Sequence, residues 1–224
     1  MTAAEHTFVF ADLAGYTALT EAHGDEDAAQ VATEFHELAK HCLPAGSRIV
    51  KTIGDAVMVV APSIGDGIAT AVRVAATIAG QARFPAVRIG IHAGPAASRD
   101  GDYFGAAVNI AARVAALARA GEIVCTEAVA AVAVARALAP ARPMGTVRLK
   151  NVSMPLALFE LGTGAPTGRL HHLDPVCRMQ IDPATAATTL AQDGVLLYFC
   201  SAGCRARFEA APEAYLLEPA GTPG

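Results

Sequence analysis

The sequence predicts an α+β fold, an antiparallel sheet with helices on one face, followed by a small module of different chemistry. Three observations predict it. Strand-like apolar runs alternate with longer runs at helical spacing, in the order βααββαβ with αβ additions. The run from Val50 to Val60 reads as two apolar strands folded about an Ile53-Gly54-Asp55 turn. The Gly/Pro/Thr-rich stretch 162–170 then marks a change of composition, and three of the five cysteines lie beyond it.

Residues 6–12 read as a buried strand that ends in a lone Asp12 before a glycine turn. Helices follow over 16–23 and 26–42, the second with a stripe of Ala29, Val31, Ala32, Phe35, Leu38 and Ala39. Residues 47–53 and 55–61 form the hairpin. Pro62 closes it, and Ser63 opens a helix over 64–82 with Ala69, Val72, Ala76 and Ile78 inward. Residues 86–92 alternate as a strand. A loop or short strand leads to Tyr103, and a helix over 106–119 stops near Gly121. A short strand at 122–125, a helix at 127–138 and a hairpin over 146–161 complete a ferredoxin-like core. The expected division is a domain over 1–161, a linker over 162–170, a module over 171–218 and a disordered tail over 219–224.

Bulk properties narrow the function. A hydrophobic content of 53% supplies a substantial core. A net charge of −4 without a long basic run argues against nucleic acid as a partner. The Ala-rich stretch 105–139 comes closest to a membrane span, but Asn109, Arg113, Arg119, Glu122 and Glu127 interrupt it. With no secretory pattern at the N-terminus, the expectation is a cytoplasmic protein.

The chemistry gathers at strand ends. Asp12 and Asp55 each close an apolar strand, and two such carboxylates can hold a pair of divalent cations for phosphoryl chemistry. Asn109 and Arg113, four apart, share a helix face. Each has an ordinary reading alone: Asp12 as a helix cap, Asp55 as a turn residue, Lys51 as a solvated lysine, Asp102 as a loop acid, Arg113 as a surface cation. Their joint occurrence at these spacings carries the argument.

Residues 7–161 resemble the class III nucleotidyl cyclase catalytic domain, the adenylate/guanylate cyclase family. The resemblance implies the nucleotidyl cyclase fold and a head-to-tail homodimer whose two sites draw on both chains. It implies that Asp12, Asp55 and the Leu13 carbonyl hold two Mg²⁺ or Mn²⁺ ions. It assigns Lys51 and Asp102 to the base, Asn109 to the ribose, Arg113 to the transition state, and Arg88 and Lys150 to the triphosphate. The base-reading pair has a chemical logic. Lysine only donates, which suits adenine N1, and a carboxylate only accepts, which suits the exocyclic amine. Guanine reverses both. The implied reaction converts ATP to 3′,5′-cyclic AMP and pyrophosphate. The alternatives are a guanylate cyclase, or a catalytically silent cyclase-fold domain that senses metal or redox state.

Behind the linker stand Asp174-Pro175-Val176-Cys177-Arg178-Met179, then Tyr198-Phe199-Cys200-Ser201-Ala202-Gly203-Cys204, then Phe208 through Tyr215. These blocks resemble the YHS domain, a metal-associated module related to TRASH-type domains. Cys177, Cys200 and Cys204 would suit Cu⁺, or Zn²⁺ with a fourth ligand drawn from His171, His172, Asp174 or Met179; the alternative is three reduced, buried cysteines that pack a small core. Metal or redox state in this module would then modulate cyclic AMP synthesis. Cys42 and Cys125 read as buried small hydrophobes. His6, His23, His36, His41 and His92 show no mutual ligand spacing and read as solvated or core residues, and Glu21 to Asp27 as a solvated helix junction.

Overall fold

A computed structural model describes residues 4–163 and 172–216. Most of the expected linker, the expected tail and His171 fall outside the described residues. Strand β1 (Glu5–Leu13) is central because both of its faces are apolar. It pairs antiparallel with β3 (Ala56–Ala61) and β4 (Val87–Pro95). Beside β3 lies β2 (Arg48–Ile53), its hairpin partner. Beyond β4 come β7 (Ile123–Thr126), β9 (Leu156–Leu161) and the edge strand β8 (Ala141–Val147), giving the order β2-β3-β1-β4-β7-β9-β8. A separate hairpin, β5 (Ala97–Arg99) and β6 (Asp102–Phe104), precedes helix α4 (Ala106–Leu117).

The α+β class holds, with two differences from the expected layout. First, β4 and β7 run parallel, Ile89 opposite Ile123, since α4 crosses over between them. Second, helices cover both faces. Val9, Ala11 and Leu13 pack with Phe35 of α2 (Asp25–His41), Ile68 and Val74 of α3 (Ile64–Ala79) and Val129 of α5 (Glu127–Ala135). Phe8 and Phe10 point the other way, onto Ala107, Val108, Ala111 and Ala115 of α4. Gly90 of β4 lets α4 approach, since a Cβ there would lie 2.1 Å from the Ala115 nitrogen.

Smaller differences have local causes. The stripe of α3 is rotated: Ile68, Ala71, Val74, Ala75 and Ile78 are buried and Ala76 is exposed. In α2 it is Ala28, not Ala29, that turns inward. Helix α5 stops at Ala135, before Ala137 takes φ 50°. The last hairpin starts at Ala141, because Pro143 is tolerated at a register shift on an edge strand. Cys42 and Cys125 are buried, as expected.

The module contains hairpins β10 (His172–Leu173) with β11 (Gln180–Ile181) and β12 (Thr188–Gln192) with β13 (Val195–Phe199), then α6 (Ala202–Ala210) and α7 (Pro212–Leu216). Its core of Val176, Cys177, Ile181, Phe199, Cys200, Cys204 and Phe208 is closed by Leu19 of α1 (Tyr16–His23) and Ala28 of α2. The Arg83 amide donates to the Gln180 carbonyl at 2.8 Å, and the Gln180 amide donates to Phe84 at 2.9 Å. The buried Gln180 Nε2 donates to the carbonyls of Ile78 (3.2 Å) and Phe84 (3.3 Å), so this polar side chain is satisfied across the junction. Among the described residues no helix is long and apolar enough to cross a membrane.

Candidate functional site

Asp12 ends β1 directly opposite Arg88 of β4. Even-numbered residues of β1 share the α4 face, so both side chains stand beside that helix. Arg88 Nε donates to Asp12 Oδ2 at 2.6 Å, and a second guanidinium nitrogen closes on the same oxygen. Asp55 enters from the β2–β3 turn, which Gly54 makes with φ 60°, a left-handed value that suits glycine. The Leu13 amide donates to the Asp55 carbonyl at 3.3 Å, tying that turn to the end of β1. Burial, followed by the charge of Asp12, pushes the Asp55 carboxyl up to about 6. Two crowded carboxylates of this kind fit a divalent cation, which would relieve their repulsion.

A second group forms on β2, three residues before the Gly54 of that turn. Lys51 Nζ of β2 donates to Asp102 Oδ2 of β6 at 2.6 Å. The Tyr103 amide donates to Asp102 Oδ1 at 2.7 Å, and Arg48 Nη2 donates to the Gly101 carbonyl at 2.9 Å. The hydrogen bond from Lys51, then that from Tyr103, holds the Asp102 carboxyl below its usual range. Asn109 is exposed and Arg113 partly exposed on α4, and Lys150 is exposed between β8 and β9. Among the described residues none of these three donates to either carboxylate group.

The module brings its three cysteines together. Cys177 Sγ lies 3.5 Å from Cys200 Sγ, which lies 3.4 Å from Cys204 Sγ. Ser201 caps α6 by accepting from the Cys204 amide at 3.1 Å. The residue that sequence reasoning missed is His23: its Nε2 lies 3.5 Å from Cys200 Sγ and 3.6 Å from Cys204 Sγ. The four ligand atoms lie within 4.8 Å of one another and could hold a metal ion.

Among the described residues, the three expected fourth ligands Asp174, His172 and Met179 do other work. Buried Asp174 accepts from the amides of Val176 (2.8 Å), Cys177 (3.3 Å) and Cys200 (2.7 Å), fastening the two cysteine segments together. His172 rests on the Tyr198 ring at 4.4 Å between centroids. Met179 packs against the module core and its carbonyl accepts from Asp174. Hydrogen bonds from Cys177 and Cys200 pull the Cys204 thiol down. Bonds to Cys200 and Cys204, with burial, push Cys177 up.

Fold and site define a mixed-sheet α+β domain with a carboxylate pair at its central strand and an appended thiol module. Residues 2–151 match the family described as the adenylate and guanylate cyclase catalytic domain, and the chain belongs to that family. Residues 172–218 match the YHS domain. A pH-sensitive adenylate cyclase of Mycobacterium tuberculosis, MT1302, is 37% identical over 123 residues, 55% of this chain and 31% of that protein. The match thus spans about a third of that relative's length. A copper-transporting P-type ATPase of Rhizobium leguminosarum is 51% identical over 43 residues, 19% of this chain and 5% of that protein. The solved adenylate/guanylate cyclase/hydrolase of Silicibacter pomeroyi superposes with a TM-score of 0.61 at 27% identity, covering 74% of this chain and all (100%) of that one.

Proposed function

We propose that this chain is an adenylate cyclase that works in the cytoplasm as a homodimer, converting ATP to cyclic AMP and pyrophosphate. The observation that carries the reading is the Lys51–Asp102 pair, a donor-only and an acceptor-only group drawn together at 2.6 Å from distant parts of the chain. Adenine N1 and its exocyclic amine would meet both. GTP would meet a donor with a donor and an acceptor with an acceptor, leaving both groups unpaired.

Asp12, Asp55 and the Leu13 carbonyl would hold two Mg²⁺ or Mn²⁺ ions, which when bound supply Lewis-acid stabilisation of the attacking and leaving oxygens. Arg88 would exchange its bond to Asp12 for the triphosphate, with Lys150 as a second cation. Asn109 would orient the ribose, and Arg113 would meet charge developing on the α-phosphate. The ribose 3′-OH would give its proton to solvent as the O3′–Pα bond forms, and the Pα–O bond would break to release pyrophosphate. In the module, Cys177, Cys200 and Cys204 would bind Zn²⁺ or Cu⁺, and occupancy or oxidation would modulate turnover. The 43-residue likeness to a copper-transporting ATPase supports the soft-metal reading.

The test is product formation from ATP and GTP with Mn²⁺ or Mg²⁺, against Asp55→Ala. Cyclic AMP that disappears in the variant supports the reading. Cyclic GTP product alone would make the chain a guanylate cyclase, and no product from folded dimer would favour a silent sensor. For the shared site, Asp12→Ala and Arg113→Ala proteins should each be nearly inactive and regain activity on mixing. Confirmed chain exchange without recovery would exclude a site built from both chains.

A further inference from the structure

We propose that His23 is the fourth ligand of a Cys₃His metal site, and that the bound ion clips the C-terminal module onto α1 of the cyclase domain. This rests on reading the three thiols as a metal site, and it adds a ligand from a different part of the chain.

The geometry supports one four-coordinate ion. Tetrahedral zinc with Zn–S near 2.3 Å and Zn–N near 2.05 Å requires S···S of about 3.8 Å and S···N of about 3.6 Å. The sulfurs stand at 3.5 and 3.4 Å, and His23 Nε2 at 3.5 and 3.6 Å from two of them. The widest pair is within 4.8 Å, so contraction by about 1 Å closes the set around an ion. A disulfide accounts for these positions poorly. It joins two sulfurs at about 2.05 Å and leaves the third thiol and the imidazole without a role.

The surroundings are built for the same purpose. Asp174 fixes the Cys177 and Cys200 segments through three amides, and the Ser201 cap fixes Cys204. Both are supports of the kind that orient metal ligands. Helix α1 is held along its length by the module. Leu19 is fully buried in the module core, and Arg207 Nη1 donates to the Glu21 carbonyl at 3.0 Å. At its start, Gly15 lies against Arg178, whose Cβ would stand 2.6 Å from any Cβ placed there. His23 is thus presented to the thiols by a helix already seated on them. Zn²⁺ suits this set, because Cu⁺ is satisfied by the thiolates alone and would have no need of the imidazole. Loading expels any remaining thiol protons to solvent.

The full chain is titrated under reducing conditions with Zn²⁺, and with Co²⁺ as the spectroscopic probe, in an Asp55→Ala background that disables the carboxylate site. The expected result is one equivalent of Co²⁺ with the visible bands of four-coordinate thiolate cobalt, and slowed amide exchange across residues 16–23 on Zn²⁺ loading. His23→Ala should weaken Zn²⁺ binding by about 100-fold, at the upper end of losses seen when even supporting residues are removed, and abolish the added exchange protection. His23→Cys should restore binding with a Cys₄ spectrum, which separates a lost ligand from a misfolded helix. His23→Ala that binds as tightly as its parent, with His172→Ala weakened instead, would overturn the clip and leave a site internal to the module. No binding by the parent protein would overturn the thiol cluster as a metal site altogether.

Discussion

Replacing Gly90 by alanine is the sharpest test of how α4 reaches the sheet. A Cβ at this position would stand 2.1 Å from Ala115 N, 2.5 Å from Ala115 Cα and 2.7 Å from the Ala111 carbonyl. Ordinary contact begins at 3.4 Å, so α4 must retreat by more than 1 Å. The opposing atoms are helix backbone, which no rotamer change can move aside. Overpacking costs about 1–3 kcal/mol, and a rigid backbone contact belongs at the top of that range. About 3 kcal/mol corresponds to a Tm loss of roughly 6–12 °C for a chain of this size. Activity should fall further than stability, because α4 carries Asn109 and Arg113, and a 1 Å misplacement can cost about 100-fold in rate. Gly94→Ala, on the same strand, is the control: its Cβ would meet side-chain atoms and no backbone, the Ala107 methyl at 3.1 Å and His92 Nε2 at 3.4 Å, so the loss should be under about 1 kcal/mol. Thermal unfolding by circular dichroism, with turnover measured well below each midpoint, reads both effects. A Gly90→Ala protein with parental Tm and turnover would refute the seating of α4 on β4.

Other perturbations probe the remaining parts. Asp55→Asn should abolish turnover yet stabilise the metal-free protein. The Asp55 carboxyl is raised from 3.8 to about 6, so the folded state retains a proton that the unfolded chain releases in that window. Stability therefore falls as pH rises from 3.8 to 6. The variant should gain about 1 kcal/mol at pH 8, discounted for the exposed half of the carboxylate, and nothing below pH ~3.5; urea unfolding in chelator at both pH values checks it. Asp102→Asn, which adds a donor beside Lys51, should lower the ATP-over-GTP ratio of kcat/KM by about 10-fold or more if the pair reads the base as proposed, and an unchanged ratio would remove Asp102 from base selection. Leu19→Ala should cost about 2–4 kcal/mol, and loss of cyclase-domain and module signals in one transition would show that the two share a core.

The central fold was legible because its cues are local. The Phe8-Val9-Phe10-Ala11 run, the Ile53-Gly54-Asp55 turn and the Ser63 cap each dictate a strand, a hairpin or a helix start without reference to distant residues. The two-faced helix layer was legible in principle. A strand apolar at both parities must be covered on both sides, and β1 buries Phe8 and Phe10 as well as Val9 and Ala11. The edge strand from Ala141 was obscured by Pro143, because proline argues against a strand unless its edge position is known. Arg88 and Asp12 were each visible, but their mutual bond depends on cross-strand register that periodicity does not supply.

His23 was illegible for a deeper reason. Metal-ligand spacing can be read only when the ligands share a local element, as Cys200 and Cys204 do across the start of α6. His23 is separated from those cysteines by 177 and 181 residues, and the relation exists only because the module lies across α1. That placement follows from size. A unit of under about 50 residues cannot enclose a core by itself. Here Leu19 and Ala28 close the core, and the unit makes main-chain hydrogen bonds to Arg83 and Phe84. The change of composition at 162–170 therefore marks a boundary in chemistry but not in energy. Helix α1 belongs to both sides of it: its first residue follows the Asp12-Leu13 strand end by three positions, and its last presents the imidazole to the thiols. The thiol cluster and the carboxylate site thus stand at the two ends of eight residues of helix, about 12 Å, and α1 joins them alongside the Arg83–Phe84 segment that leads into β4.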